Sequence, residues 1–211
     1  MSRGENAGRG RREEVLLAAA KVFCGRGYRA STIQDVAREL GFTSAALYYY
    51  FDSKEMMLNE IIMRPMQLLI DEADAVAATP VDQEMDRIRD LVRRHVTLIL
   101  AEYELFSILL RERLELSDEA AAQLRELEEG YYVRIRGLVE ACVQADEADV
   151  RSPRLAALAL IGMMNWVLRW YTRDGELTPD EIAEAFFEVF VHGITSGARV
   201  PAEPGKGSSS V

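Results

Sequence analysis

Apolar residues recur every three to four positions along most of the chain, which is the spacing of one helical face. The alternation of apolar and polar residues that marks β-strands is missing, and glycine and proline fall between the helical stretches. The sequence therefore predicts an all-α fold of about nine helices. We place them at about residues 12–26, 32–40, 44–50, 54–78, 82–102, 104–114, 118–146, 153–172 and 179–196.

Several helix boundaries carry local signals. Gly27 and Gly41 are expected to end the first two helices, and Pro65 is expected to kink the fourth. Four helix starts combine a hydroxyl residue with a following acid, proline or lysine. They are Thr32 with Asp35, Ser53 before Lys54, Ser152 with Pro153, and Thr178 with Pro179 and Glu181.

The stretch 32–54 reads TIQDVARELGFTSAALYYYFDSK and predicts a helix-turn-helix, with Gly41 in the turn. The second of its two short helices can lie in a DNA major groove, with its first residues at the base edges. Leu47 and Phe51 are expected to be core residues, and Tyr50 suits either core or surface. The candidate DNA contacts are Thr43, Ser44, Ala45 and Tyr49 for the bases, Tyr48 and Lys54 for phosphates, and Thr32 at the start of the first helix.

Two further features support the phosphate contacts. Three consecutive tyrosines point about 100° apart on a helix, so Tyr48, Tyr49 and Tyr50 cannot all be buried. A lysine in the first turn of a helix opposes the helix dipole, so Lys54 is better explained by a phosphate contact than by helix stability.

The charge distribution agrees with DNA binding although the net charge is −10. Residues 1–54 hold nine basic and six acidic residues, whereas residues 55–211 hold 16 basic and 29 acidic ones. Salt screens charges beyond about 8–10 Å, so a basic head attracts phosphate even on an acidic body.

Other classes are excluded or disfavoured. No apolar run reaches the roughly 18 residues that span a bilayer, and no apolar stretch of the signal-peptide kind follows the first arginines, so we expect a cytoplasmic protein. Cys24 and Cys142 are too few for a disulfide framework, and two histidines argue against a zinc site. We find no glycine-rich phosphate loop or nucleophile elbow, and we expect neither an enzyme nor a cofactor or metal.

Residues 12–61 resemble the DNA-binding domain of TetR-type bacterial transcriptional regulators. The resemblance rests on Ala20, Phe23, Gly27, Tyr28, Thr32, Ile33, Val36, Ala37, Gly41, Leu47, Tyr48, Tyr50, Phe51, Lys54 and Glu55. It implies a homodimer, most often a repressor that a small molecule releases from a palindromic operator. Ser44 departs from the Lys or Arg of many relatives, which puts that contact in doubt.

The resemblance also implies a domain division. We expect a disordered basic arm at 1–10, a DNA-binding domain at 11–55, an effector-binding and dimerisation domain at 56–199, and a disordered tail at 200–211. An activator is an alternative that the sequence does not separate from a repressor. A helical interaction module without DNA binding is a further alternative.

The last two helices are suited to a dimer interface. The eighth is apolar nearly all round, so it must be covered on every side, either by its own core and a partner subunit together or wholly within one subunit. The ninth carries an apolar stripe. The candidate interface residues are Leu158, Phe186, Val189 and Phe190.

The segment around Asn165 has two interpretations, a packed core helix with a satisfied amide or the wall of a ligand pocket. A buried amide without partners costs about 1–3 kcal/mol. For the pocket, the candidate contacts are Leu100, Tyr103, Phe106, Leu110, Met163, Trp166 and Arg169.

The pattern G-x-x-N-W-x-x-x-W-Y, from Gly162 to Tyr171, is similar to the C-terminal region of TetR-type regulators of fatty-acid and steroid breakdown. That resemblance implies an acyl-CoA effector. A drug or a free fatty acid is the competing expectation.

Overall fold

The computed structural model describes residues 3–195, and this part of the chain contains nine α-helices, two short 3₁₀ turns and no β-strand. The predicted all-α fold is confirmed. The helices are α1 (Arg3–Arg26), α2 (Ile33–Leu40), α3 (Ser44–Tyr48), α4 (Lys54–Ala78), α5 (Glu84–Ala101), α6 (Tyr103–Glu112), α7 (Asp118–Gln144), α8 (Pro153–Trp166) and α9 (Pro179–Thr195). The 3₁₀ turns are Arg113–Glu115 and Val167–Arg169.

The expectation of a disordered arm over residues 1–10 is wrong for residues 3–10, which form the beginning of α1. The segment contains no proline, and each residue added to an existing helix gains a hydrogen bond, so a packed helix extends beyond its apolar face. Its glycines lower helix propensity without breaking the helix. The tail predicted at 200–211 lies outside the described residues.

The local boundary signals are confirmed. The Thr32 and Ser53 side chains accept hydrogen bonds from the first turns of α2 and α4, and Ser152 and Thr178 do the same for α8 and α9. Gly41 closes α2 with a left-handed φ of 69°, a conformation that glycine adopts without strain.

Apart from the start of α1, the predicted helix boundaries lie within two residues of those in the structure, with one exception. The α-helix predicted to run to residue 172 ends at Trp166 and continues as a 3₁₀ turn, a tightening that is common at helix ends. The α-helix predicted at 44–50 ends at Tyr48, two residues early.

The core is continuous from the N-terminal helices into the body. Phe23, Leu47 and Phe51 are fully buried between α1, α3 and the start of α4. Helix α4 then extends into the body, where it packs against α5, α6 and α7. Helix α5 packs on α9 and α7 on α8. Among the described helices, none is long and apolar enough to span a membrane.

Candidate DNA interface and ligand cavity

The structure presents an exposed surface on α3. Tyr48 is 52% exposed and Tyr49 is 84% exposed, and the small residues Thr43 and Ala45 are exposed beside them. Ser44 is half-buried. The predicted base and phosphate contacts in and beside α3 are therefore accessible, apart from the half-buried Ser44.

The core holds α3 at a fixed angle. Leu47 is fully buried, and Phe42, in the turn, packs partly buried against the core. The Thr43 hydroxyl accepts a hydrogen bond from the N–H of Ala46 at 3.3 Å, which caps the helix. Its own hydrogen is still available to donate. Tyr50 packs edge-on against Tyr49, with ring centroids 5.1 Å apart, and is half-buried.

The Thr32 side chain makes its hydrogen bonds within α2. Its hydroxyl donates to Asp35 Oδ2 at 2.6 Å and accepts from the N–H of Asp35 at 3.2 Å. Hydrogen bonds from Thr32, together with the nearby Arg38 and Arg26, lower the pKa of Asp35 to about 2. Thr32 therefore serves as the N-cap of α2, and it is also exposed to solvent.

Lys54 has an intramolecular role that its position in the sequence did not indicate. Its ammonium donates to the carbonyl oxygens of Tyr28 at 2.9 Å and Ser31 at 2.8 Å. The Nζ atom also lies 4.1 Å from the centroid of the Tyr28 ring. Lys54 thereby holds the loop between α1 and α2, and this role explains a lysine in the first turn of α4 without a phosphate contact.

The basic side chains of this domain are largely paired. Arg26 and Arg38 both donate to Asp35, at 2.8 and 2.9 Å, and Lys21 pairs with Glu39. These three cations are exposed, and exposed ion pairs contribute little to stability. The pairs can therefore rearrange toward a phosphate at small cost.

A cavity of about 530 Å³ lies in the body between α4, α6, α7 and α8. That volume is typical of sites for small ligands. Apolar side chains dominate its lining, and two exposed arginines, Arg125 and Arg154, have no ion pair within the described residues. The full lining is Met66, Leu69, Phe106, Leu109, Leu110, Arg113, Arg125, Glu128, Glu129, Tyr131, Tyr132, Arg154, Leu158, Ile161, Asn165 and Leu168.

Only part of the predicted ligand set lines this cavity. Phe106 and Leu110 line it, whereas Leu100 is buried in the core and Tyr103 and Met163 lie elsewhere on the body. Trp166 is 62% exposed, and Arg169 lies over its ring on the surface. Neither of these two lines the cavity.

The rotation of α8 explains that correction. Adjacent helical residues point about 100° apart, so Asn165 faces the cavity while Trp166 faces outward. The expectation that the Asn165 amide needs a partner is confirmed, because its Oδ1 atom lies 3.1 Å from His95 Nε2.

Sequence reasoning missed His95 and Tyr131. His95 is 1% exposed, and its Nδ1 atom lies 2.6 Å from the Tyr131 hydroxyl. Burial lowers the pKa of His95 to about 4, so its ring is neutral, and burial raises the pKa of Tyr131. A histidine within the apolar stripe of α5 is the signal that could have indicated such a partner.

The outer faces of α8 and α9 carry exposed apolar side chains. Leu155, Trp166 and Val189 are between 62% and 66% exposed. Of the predicted interface residues, Val189 lies on this surface and Leu158 lines the cavity, while Phe186 is half-buried and Phe190 is 7% exposed in the core. Phe190 therefore fits the core of its own subunit better than an interface.

Helix α6 connects the cavity to the N-terminal domain. Its Phe106 and Leu110 line the cavity, and Arg111 donates to the carbonyl oxygen of Cys24, at the end of α1, at 3.0 Å. Glu112 accepts from the N–H of Tyr28 at 3.3 Å. A change in the cavity can therefore reach the DNA-facing helices through one short element.

A helix-turn-helix joined to a helical body that encloses a ligand-sized cavity defines a transcriptional regulator with a DNA-binding and a sensing unit in one chain. The described residues hold no cluster of side chains suited to a metal ion. Residues 15–61 match the model of the tetR family of bacterial regulatory proteins, and residues 81–194 match the tetracyclin repressor-like C-terminal domain. The chain belongs to the tetR family.

Known relatives agree with this assignment. Over 191 residues the chain is 31% identical to the HTH-type transcriptional repressor KstR2 of Rhodococcus jostii, covering 89% of this chain and 92% of that protein. The TetR-family regulator PfmR of Thermus thermophilus matches with a TM-score of 0.79 at 28% identity, covering 84% and 97%. AibR in complex with isovaleryl coenzyme A and operator DNA matches with a TM-score of 0.74 at 25% identity, covering 85% and 97%.

Proposed function

We propose that this protein is a homodimeric transcriptional repressor that binds a palindromic operator and is released from it by a CoA thioester with a hydrophobic acyl group. The observation that carries the proposal is the pairing of an exposed α3 surface with a ligand-sized cavity, linked by α6. We assign residues 11–55 to DNA binding and 56–199 to effector binding and dimerisation. As a regulator of this family it acts on DNA in the cytoplasm, and we propose no enzymatic activity.

For the DNA contacts, we propose that Thr43, Ser44, Ala45 and Tyr49 reach base edges and that Tyr48 reaches a phosphate. The exposure of Thr43, Ala45, Tyr48 and Tyr49 in and beside α3 supports this assignment. Lys54 contributes at most its third N–H, because two of its three donors serve loop carbonyls. Its main role is to hold the loop on which α2 depends.

The dimer is proposed to form through the outer faces of α8 and α9. Exposed apolar side chains such as Leu155, Trp166 and Val189 would be covered there by the partner subunit. Small exposed residues, Ala159 and Gly162 on α8, allow the helices to approach closely. A symmetric dimer would place two α3 helices about 34–36 Å apart if they read successive major grooves.

The chemistry of the cavity supports a CoA thioester. Its apolar lining suits an acyl group, and Arg125 and Arg154 offer charge for phosphates or a carboxylate. One structural relative, AibR, is described with isovaleryl coenzyme A and operator DNA, and KstR2 is named a repressor. A neutral drug would leave both arginines without an anionic partner.

We propose that release runs through α6 together with the long helix α4. An effector that contacts Phe106 and Leu110 would shift α6, which holds Cys24 and Tyr28 of the DNA-binding domain. Such a shift changes DNA affinity only if the effector binds the two conformations with different affinity.

Fluorescence anisotropy on DNA from upstream of its own gene, or on a site selected from random DNA, tests the DNA-binding proposal. We expect salt-dependent, sequence-selective binding that Tyr49→Ala weakens by about tenfold, the cost of one lost base contact. Tyr103→Ala, which removes an exposed tyrosine on the body, is the matched control and should leave the affinity unchanged. Equal affinity for Tyr49→Ala and wild type would contradict the assigned surface.

A further inference from the structure

One wall of the cavity is polar although the body around it is apolar. His95 on α5, Tyr131 on α7 and Asn165 on α8 form a chain of two hydrogen bonds, and Tyr131 and Asn165 line the cavity directly. Neither DNA binding nor dimerisation uses this chain. Its possible roles are to join three helices or to recognise part of a ligand.

The direction of each hydrogen bond follows from the geometry. The Oδ1 atom of Asn165 can only accept, so His95 must carry its proton on Nε2 and donate at 3.1 Å. A neutral imidazole then has a lone pair on Nδ1, which accepts from the Tyr131 hydroxyl at 2.6 Å. Protons are thus donated from Tyr131 to His95 and from His95 to Asn165.

With the hydrogen bonds in these directions, Asn165 and Tyr131 still have donors and an acceptor for a ligand. In this arrangement the Oδ1 atom of Asn165 is taken by His95, and the chain uses neither of the two N–H donors on Nδ2. These two donors are therefore available at the cavity wall, which Asn165 lines. The Tyr131 oxygen has donated its only hydrogen and can still accept a hydrogen bond.

A neighbouring group lacks a partner. Tyr132 is one of the residues that line the same cavity, and its hydroxyl is buried without a hydrogen-bond partner among the described residues. An unpaired buried hydroxyl is unfavourable, and a ligand oxygen that pairs with it would remove that cost. If the hydrogen bonds among His95, Tyr131 and Asn165 served only to join helices, the unpaired Tyr132 hydroxyl beside them would have no explanation.

We infer that Tyr131, Tyr132 and Asn165 form a subsite for a carbonyl or hydroxyl oxygen carried on the apolar part of the effector. The regulator would thus select an oxo- or hydroxy-substituted acyl group over the unsubstituted hydrocarbon. The inference rests on the proposed function, since it takes the cavity as the effector site. An unsubstituted ligand would bury the Asn165 donors without partners and leave the Tyr132 hydroxyl unpaired, so we expect a preference of about tenfold to a hundredfold.

Isothermal titration calorimetry on the full-length protein without DNA tests the subsite. The probes are cyclohexanecarbonyl-CoA and its 3-oxo and 4-oxo derivatives, which place one oxygen at two positions on the same ring. We expect at least one ketone to bind about tenfold or more tightly than the hydrocarbon. Asn165→Leu, similar in volume, should abolish that preference, and Ile161→Val, on the same wall, should retain it.

A second variant tests the subsite even if Asn165→Leu fails to fold. Asn165→Leu leaves the His95 proton without its acceptor, whereas Tyr132→Phe removes only a hydroxyl that has no partner. Tyr132→Phe should fold normally and lower the preference for the ketone. The carbonyl stretching band of the bound ketone should lie at lower frequency in wild type than in Asn165→Leu, as expected for a hydrogen-bonded carbonyl.

The outcomes separate the two proposals. Ketone and hydrocarbon binding with equal affinity would overturn the subsite and leave the CoA-thioester effector standing. A ketone preference that survives both Asn165→Leu and Tyr132→Phe would also overturn the subsite. Binding of none of the three probes by a protein that another acyl-CoA still releases from its operator would overturn the subsite and leave the effector class standing.

Discussion

Lys54→Met separates two roles for one side chain. Methionine keeps most of the apolar stem and removes the ammonium, which donates to the carbonyl oxygens of Tyr28 and Ser31 and lies over the Tyr28 ring. If Lys54 holds the loop between α1 and α2, the variant loses stability. If it mainly contacts a phosphate, the variant loses DNA affinity and keeps its stability.

The expected loss follows from these contacts. Hydrogen bonds to charged groups contribute about 1.5–3 kcal/mol each, and an exposed cation–π contact about 0.5–1 kcal/mol. Lys54 is half-buried, and water can replace the ammonium at the carbonyls, so the lower end applies. We expect Lys54→Met to lower the free energy of unfolding by about 3–4 kcal/mol, the sum of the lower values for the three contacts.

Urea denaturation followed by far-UV circular dichroism measures this loss, at one fixed protein concentration because the proposed dimer makes stability concentration-dependent. Lys21→Met is the control, since it removes an exposed lysine of the same domain. Its unfolding midpoint should match wild type. An unchanged midpoint for Lys54→Met, together with a salt dependence of DNA binding reduced by about one phosphate contact, would refute the loop role.

Three further predictions concern the body. Arg111→Met removes the bond from α6 to Cys24, so we expect calorimetry to show unchanged effector binding and anisotropy to show weaker release from DNA. Because His95 is protonated below about pH 4 when folded and below 6.5 when unfolded, stability should fall by about 3 kcal/mol as pH drops across that window. Urea midpoints at stepped pH should show this fall in wild type and in His192→Gln but not in His95→Gln. Val189→Asp places a charge on the exposed apolar surface of α9 and should give a folded monomer by light scattering, whereas a dimer would contradict the proposed interface.

Much of the N-terminal domain could be predicted because its signals are local. The Thr32–Asp35 capping box and the left-handed Gly41 depend on residues three or fewer positions apart, and the structure contains both. The burial of Leu47 and Phe51 also followed from their spacing. Contacts between distant segments gave no such signal, and the pairing of Lys54 with loop carbonyls more than 20 residues earlier is one of these.

The cavity was less predictable for a different reason. Helix α8 is apolar nearly all round, so periodicity does not indicate which side faces α7 and which faces outward. The rotation that turns Asn165 inward and Trp166 outward is set by tertiary packing. His95 and Tyr131 come from two other helices, and only the fold brings them to Asn165.

The central claim is that one chain binds an operator and releases it on binding a CoA thioester. The most direct test is anisotropy of wild-type protein on its labelled operator during titration with short-, medium- and long-chain acyl-CoAs and ring-containing CoA thioesters. We expect selective binding that at least one thioester reverses, while free coenzyme A has no effect. Operator affinity that stays constant at saturating concentrations of every thioester would contradict it.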